Sequence, residues 1–187
     1  MHSSIPDIPA ASIEARLEIL EGICVLTYEK LDTQTILQSV SDDGAGATAV
    51  FIGTTRNSFK GRVVTSSVIR LVTRLDYQAY SKLAIRTMAD ILRNTYSAYT
   101  RSEHQTASDG SMQAHSLIRT AVHHRLGTVP VGEPSIVIAV SSPHRKEAFA
   151  ACEGVLEEVK LKAQIWKREF YEGEREEDAL WKANVDH

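Results

Sequence analysis

The sequence predicts an α+β domain with a mixed or antiparallel sheet. Two strongly apolar β runs, TAVFIGTT (48–55) and SIVIAVSS (135–142), each read as a buried strand. A long helical pattern starts at Pro143 and runs into the alternating segment IWKREFYE (165–172). The remaining elements mix strand and helix signals without a regular βαβ repeat, which disfavours a doubly wound parallel sheet.

In chain order, residues 1–22 read as a loose N-terminal arm with a short helical turn, and the domain spans 23–172. ICVLTYEKL (23–31) is β-branched and apolar and predicts a strand. TQTILQSV has the i, i+3, i+4 spacing of a short helix, and DDGAGA is turn chemistry leading into TAVFIGTT. Arg56 stands at that strand's end. After the turn NSFKG come two β-rich segments, RVVTSSVIRLVT and RLDYQAY. SKLAIRTMADILRNTYSAY predicts a helix with Leu83, Met88, Ile91 and Leu92 near one face. Residues 100–114 are polar and unpatterned and read as a flexible loop. SLIRTAVHHRLGTV and the turn VGEP precede SIVIAVSS. The last segment, 173–187, is a charged tail with one apolar handle at Trp181.

Composition narrows the function. The 187 residues are 43% hydrophobic and 24% charged, with no apolar run long enough to span a bilayer. A net charge of -3 argues against a general nucleic-acid or anionic-membrane binder, so any cationic site must be local. Cys24 and Cys152 form no CxxC pattern, and the N-terminal segment carries Glu14, Glu18 and Glu21 against Arg16 with no apolar core. The expected compartment is the cytosol. Paired carboxylates, a Gly-rich phosphate loop, GxSxG and HExxH are all missing, which removes most hydrolase, kinase and zinc-enzyme readings. His123 and His124 are adjacent, so on a strand they point to opposite faces and make a poor metal pair. They read as structural histidines, and no metal ligand set or cofactor motif emerges.

The stretch SSPHRKEAFAACEGVLEEVKLKAQIWKRE (141–169) is basic at both ends of an acidic chain. Ser142 as N-cap and Pro143 at the first helical position place His144 and Arg145 in the first turn, beside the amide donors of the helix N-terminus. Cations oppose the helix dipole there, so either they snorkel into solvent or an anion compensates them. Phe149, Cys152, Leu156, Val159 and Ala163 recur at helical spacing and predict the buried stripe, which makes Cys152 a core residue. Lys160 flanks that stripe, either snorkelling or partly desolvated as an anion contact or base. Lys167 follows on the predicted strand. His144 and Lys160 are separated by about 24 Å along a straight helix, too far for one small ligand. Either one end alone is functional, or a two-fold dimer joins the two ends in a shared site, and the second is favoured.

Taken in order, GAGATAVFIGTTR, AVHHRLGTVPVGEPSIVIAVSSPHRKEAFAACEGVLEEVK and IWKRE resemble the large, catalytic subunit of the molybdopterin synthase family over roughly residues 23–170. The terminal WKAN is similar to eukaryotic-type members. The resemblance implies an α/β hammerhead fold, a homodimer of large subunits within a heterotetramer, and a small ubiquitin-like partner subunit whose C-terminal Gly-Gly thiocarboxylate enters the pocket. It implies a sulfurtransferase of molybdenum cofactor biosynthesis, converting cyclic pyranopterin monophosphate (precursor Z) to the dithiolene of molybdopterin by two sulfur transfers. The sulfur would come from the partner, which agrees with the core placement of Cys152.

By motif, the resemblance implies substrate contacts at Thr54, Thr55 and Arg56 (GTTR), His144 and Arg145 (SPHRK), Lys160 (EEVK), and Lys167, Arg168 and Glu169 (WKRE). Of these Lys160 and Lys167 are the expected catalytic pair. Three departures stand out. Gln164 replaces the family's usual proline, which should soften the break between helix and strand. Residues 63–74 form an insertion that reads as an expanded hairpin or a retained intron, and 100–114 is an extra loop. The alternative to catalysis is a non-catalytic paralogue or scaffold that binds a ubiquitin-like tail or a phosphate ligand. An unrelated phosphate-binding regulatory domain is a third reading.

Overall fold

The computed structural model describes residues 9–57, 71–100 and 117–184. The expected loop 100–114, save the last helical residue Thr100, and most of the 63–74 insertion lie outside them. The described strands are β1 (Ala15–Ile19), β2 (Gly22–Thr27), β3 (Ala47–Thr54), β4 (Val72–Ala79), β5 (Arg119–Arg125), β6 (Gly127–Pro130), β7 (Pro134–Ser142), β8 (Ile165–Tyr171) and β9 (Trp181–Ala183). The helices are α1 (Thr33–Gln38), α2 (Ser81–Thr100) and α3 (Arg145–Lys162), with a 3-10 turn at Glu176–Asp178. They form two sheets. The first has the order β1-β2-β5-β7-β3 with one parallel pair, β2 with β5; the second is antiparallel, β6-β4-β8-β9. The α+β expectation holds.

β7 is buried on both faces, as a continuous apolar run requires. Ile136, Ile138 and Val140 join the main core under α2 and α3, while Val137 and Ala139 face a smaller cluster with Ile36 and Val40 at α1. β3 differs from its expectation. It is the edge strand, Ala49 is buried, and Val50 and Ile52 are exposed. Among the described residues α1 packs on β5 and β7, so the outer face of β3 is not covered by it.

The expected loose arm is structured from β1 onward. ARLEI alternates half-buried and exposed residues and pairs antiparallel with β2. The turn between them carries no hairpin dipeptide; instead Gly22 takes φ 154°, and a Cβ there would stand 1.8 Å from the Thr120 carbonyl oxygen. The charged tail is likewise part of the fold, because β9 extends the second sheet beside β8.

Both long helices correct a detail of the predicted faces. On α2, Ala84, Ile85, Met88, Ala89, Ile91 and Leu92 are buried but Leu83 is exposed. On α3 the stripe is Ala148, Ala151, Cys152, Val155, Leu156 and Val159, and Phe149 is 67% exposed. His144, not Ser142, is the N-cap and the helix begins at Arg145. Ala148, Ala151 and Val155 widen the apolar stripe on one side, and the helix packs that side inward, which leaves Phe149 at the exposed border. Ser142 belongs to β7 and its hydroxyl accepts from the His144 amide at 3.2 Å. Both Cys24 and Cys152 are buried thiols, raised to about 12 and about 11 by desolvation, as core residues should be.

Candidate active site

A cavity of about 390 Å³ opens between the two sheets near the edge strand β3. Its wall contains Thr54 and Arg56 from the end of β3, Lys160 from the last turn of α3, and Lys167 and Glu169 from β8. Three cations thus face one carboxylate in a chain whose net charge is negative. That local excess suits an anionic ligand.

β8 delivers its residues by alternation. Lys167 (9% exposed) and Glu169 (6% exposed) point inward together, with their charged atoms 3.9 Å apart. Arg168 points the other way. Its guanidinium lies 3.4 Å from Asp76 and over the rings of Phe170 and Trp181, so it braces the outer face of the second sheet and does not line the cavity.

Gln164 governs where β8 begins. Its side-chain amide donates to the Lys162 carbonyl at 2.7 Å and accepts from the Thr87 hydroxyl at 3.0 Å, while its own carbonyl accepts from the Tyr80 amide at 3.0 Å. The expected softening does not occur, because hydrogen bonds to α2 and its approach replace the stiffness of a proline ring.

Thr55 is a structural member of GTTR. It is 3% exposed, its amide donates to the Glu133 carbonyl, and its carbonyl accepts from the Gly132 amide. Its hydroxyl has no hydrogen-bond partner among the described residues. Arg125 pairs with Glu133 and donates to the Thr128 carbonyl, bracing the same turn and so the end of β3 that carries Arg56. Arg125 first, and then Lys30, hold the Glu133 carboxyl below its ordinary value.

His144 and Arg145 are exposed at the far end of α3 and do not line this cavity. The structure therefore gathers Thr54, Arg56, Lys160, Lys167 and Glu169, and leaves Thr55, Arg168, His144 and Arg145 outside.

Four polar wall residues were missed as site residues from sequence: Tyr77, His124, Ser135 and Asn184. His124 is 1% exposed. Its Nδ1–H donates to the Arg125 carbonyl at 2.8 Å, which leaves Nε2 to accept from the Asn184 side-chain amide at 3.3 Å. Tyr77 meets its ring edge-on, with centroids 4.9 Å apart. Burial lowers the imidazole to about 4, opposed by the Arg125 carbonyl, so it is neutral near pH 7. The structural reading of His124 is right about its bonding but incomplete about its location. His123 points to the other face and is also lowered to about 4 by burial first and Arg16 second. Among the described residues no group of three or more His, Cys, Asp and Glu side chains is placed to hold a metal, and no helix is long and apolar enough to cross a membrane.

The fold and the site define an α+β protein with a cationic, lysine-bearing pocket between two sheets. The family model described as MoaE protein matches residues 26–162, and the chain belongs to that family. It is 43% identical over 161 residues to the molybdopterin synthase catalytic subunit of Pyricularia oryzae, covering 86% of this chain and 74% of the relative. It is 39% identical over 178 residues to that of Oryza sativa subsp. indica, covering 95% and 78%. A crystal structure of molybdopterin synthase from Staphylococcus aureus superposes with a TM-score of 0.66 at 27% identity, covering 84% of this chain and 94% of that one. A complex of subunits 1 and 2 of the molybdopterin-converting factor from Helicobacter pylori shares the fold, with a TM-score of 0.58 at 19% identity over 81% and 87% of the two chains.

Proposed function

We propose that this chain is the catalytic subunit of a molybdopterin synthase. It converts cyclic pyranopterin monophosphate to molybdopterin by two sulfur transfers from the C-terminal thiocarboxylate of a small ubiquitin-like partner subunit. The observation that carries the reading is the convergence of Arg56, Lys160 and Lys167 on one cavity in an acidic protein. A cyclic phosphate and a thiocarboxylate repel each other, and fixed cations in a partly desolvated pocket offset that repulsion as they approach. Lys160, half-buried at the cavity wall, is the group for direct proton transfer or transient amine chemistry, and Lys167 orients the partner's carboxyl terminus. The chain supplies no sulfur: both thiols are buried and held protonated.

The site is shared across a homodimer within a heterotetramer. Supporting this, the cavity lies at the edge strand β3 with its exposed Val50 and Ile52, while His144 and Arg145 sit a helix length away. A second protomer's α3 start would complete the anion site. Two buried free thiols fit a reducing compartment and hence the cytosol.

The test mixes purified chain, thiocarboxylated small subunit and cyclic pyranopterin monophosphate, and quantifies molybdopterin. Wild type forms product, and Lys160→Ala lowers kcat by about 100-fold or more. A wild type that binds its partner without making product would favour the scaffold reading, and undiminished turnover by Lys160→Ala would remove Lys160 from the chemistry.

A further inference from the structure

The register of the second sheet creates an electrostatic conflict. Lys182 on β9 stands directly opposite Lys167 on β8, so both ammonium-bearing side chains leave the sheet on one face, with Cβ atoms about 5 Å apart. Like charges so placed destabilise a strand pair unless a carboxylate lies between them. Glu169, two residues along β8 and on the same face, is that carboxylate. It is shared unequally. Oε2 accepts from the Tyr171 hydroxyl at 2.7 Å and from Lys182 Nζ at 3.3 Å, whereas Oε1 stands 3.9 Å from Lys167 Nζ.

The positions of these groups separate their roles. Lys167 and Glu169 line the 390 Å³ cavity, but Lys182 lines a second cavity of about 150 Å³ behind it, and Glu169 is the wall common to both. The Lys182 side chain is 57% exposed, so its ion pair adds little to folding stability.

We infer that Lys182 is a positioning residue for the sulfur-transfer site. By holding Glu169 Oε2 from outside the cavity, it keeps the carboxylate from closing on Lys167, and the Lys167 ammonium stays directed at the anion. Without Lys182 the three charges fall from one net positive to zero, and Glu169 swings toward Lys167. The inference rests on the proposed function of the cavity.

The experiment compares Lys182→Met and Lys182→Arg with wild type in the synthase assay, alongside thermal unfolding. Lys182→Met is expected to raise KM for the pterin about tenfold with kcat within about threefold, at an unchanged thermal midpoint. Lys182→Arg should restore KM. Wild-type KM in Lys182→Met overturns the inference, as does equal impairment in both variants, or a KM change that comes only with a lowered thermal midpoint. If wild type makes no product, the proposed function falls. Calorimetric binding of the cyclic pterin phosphate then decides the inference: about tenfold weaker binding by Lys182→Met supports it, and equal affinity, or no binding by wild type, overturns it.

Discussion

His124 is bonded like a core residue yet stands in the wall of the cavity. Its Nδ1–H is committed to a backbone carbonyl and its Nε2 to Asn184, and burial holds the ring neutral with its pKa lowered to about 4. Because the folded value lies below the ordinary 6.5, the unfolded chain binds more protons between the two. The stability from keeping this ring neutral is therefore fully present above about pH 6.5 and is lost as pH falls toward about 4, on the order of 3 kcal/mol in all. His123 acts in the same direction. Urea unfolding at a series of pH values should show wild-type stability falling over this window and a shallower fall in His124→Gln. Equal slopes would refute a neutral buried His124. Adjacent histidines on a strand were legible as pointing to opposite faces. That one of them reaches the cavity was not, because its neighbours Tyr77 and Asn184 come from β4 and the tail, 47 residues before it and 60 after it.

At the scale of elements, α3 shows how a wide apolar stripe leaves a helix a choice of face. The predicted stripe runs from Phe149 through Cys152, Leu156 and Val159; the helix instead buries the Ala148, Ala151 and Val155 side together with Leu156, and leaves Phe149 exposed. Leu156→Ala should then cost about 2–5 kcal/mol in urea unfolding, while Phe149→Ala should change stability by less than about 0.5 kcal/mol. Comparable costs at both positions would restore the predicted stripe, which holds both residues. β1 and β9 were hidden for a related reason. ARLEI alternates as a strand should, but its turn lacks a hairpin dipeptide, and the three-residue β9 is too short for periodicity to register. Both are edge strands, recognisable only from the sheet they complete.

For the whole molecule, the length of α3 is the governing quantity. Its two basic ends cannot serve one small ligand, and the cavity holds Lys160 but neither His144 nor Arg145. A dimer-shared site predicts complementation. Mixing His144→Ala chains with Lys160→Ala chains should recover activity through hybrid dimers in which one site keeps both residues, to about a quarter of wild type if subunits exchange at random. No recovery, with hybrids shown to form by native mass spectrometry, would place each site within one protomer.

The residue pattern by itself determined the α+β class, the apolar strands β3 and β7, the helices α2 and α3 and the core role of Cys152, and it named Thr54, Arg56, Lys160, Lys167 and Glu169 among its motif residues. These follow from local periodicity and motif resemblance, which act over short stretches of chain. Only the tertiary structure decided that Thr55 and Arg168 turn away from the cavity, that His124 and Asn184 close it, and that Lys182 stands opposite Lys167 across Glu169. Those outcomes depend on strand register and on segments far apart in sequence meeting at one sheet edge, and pairing across a sheet is set by the sum of many packing contacts, which no single stretch of residues encodes.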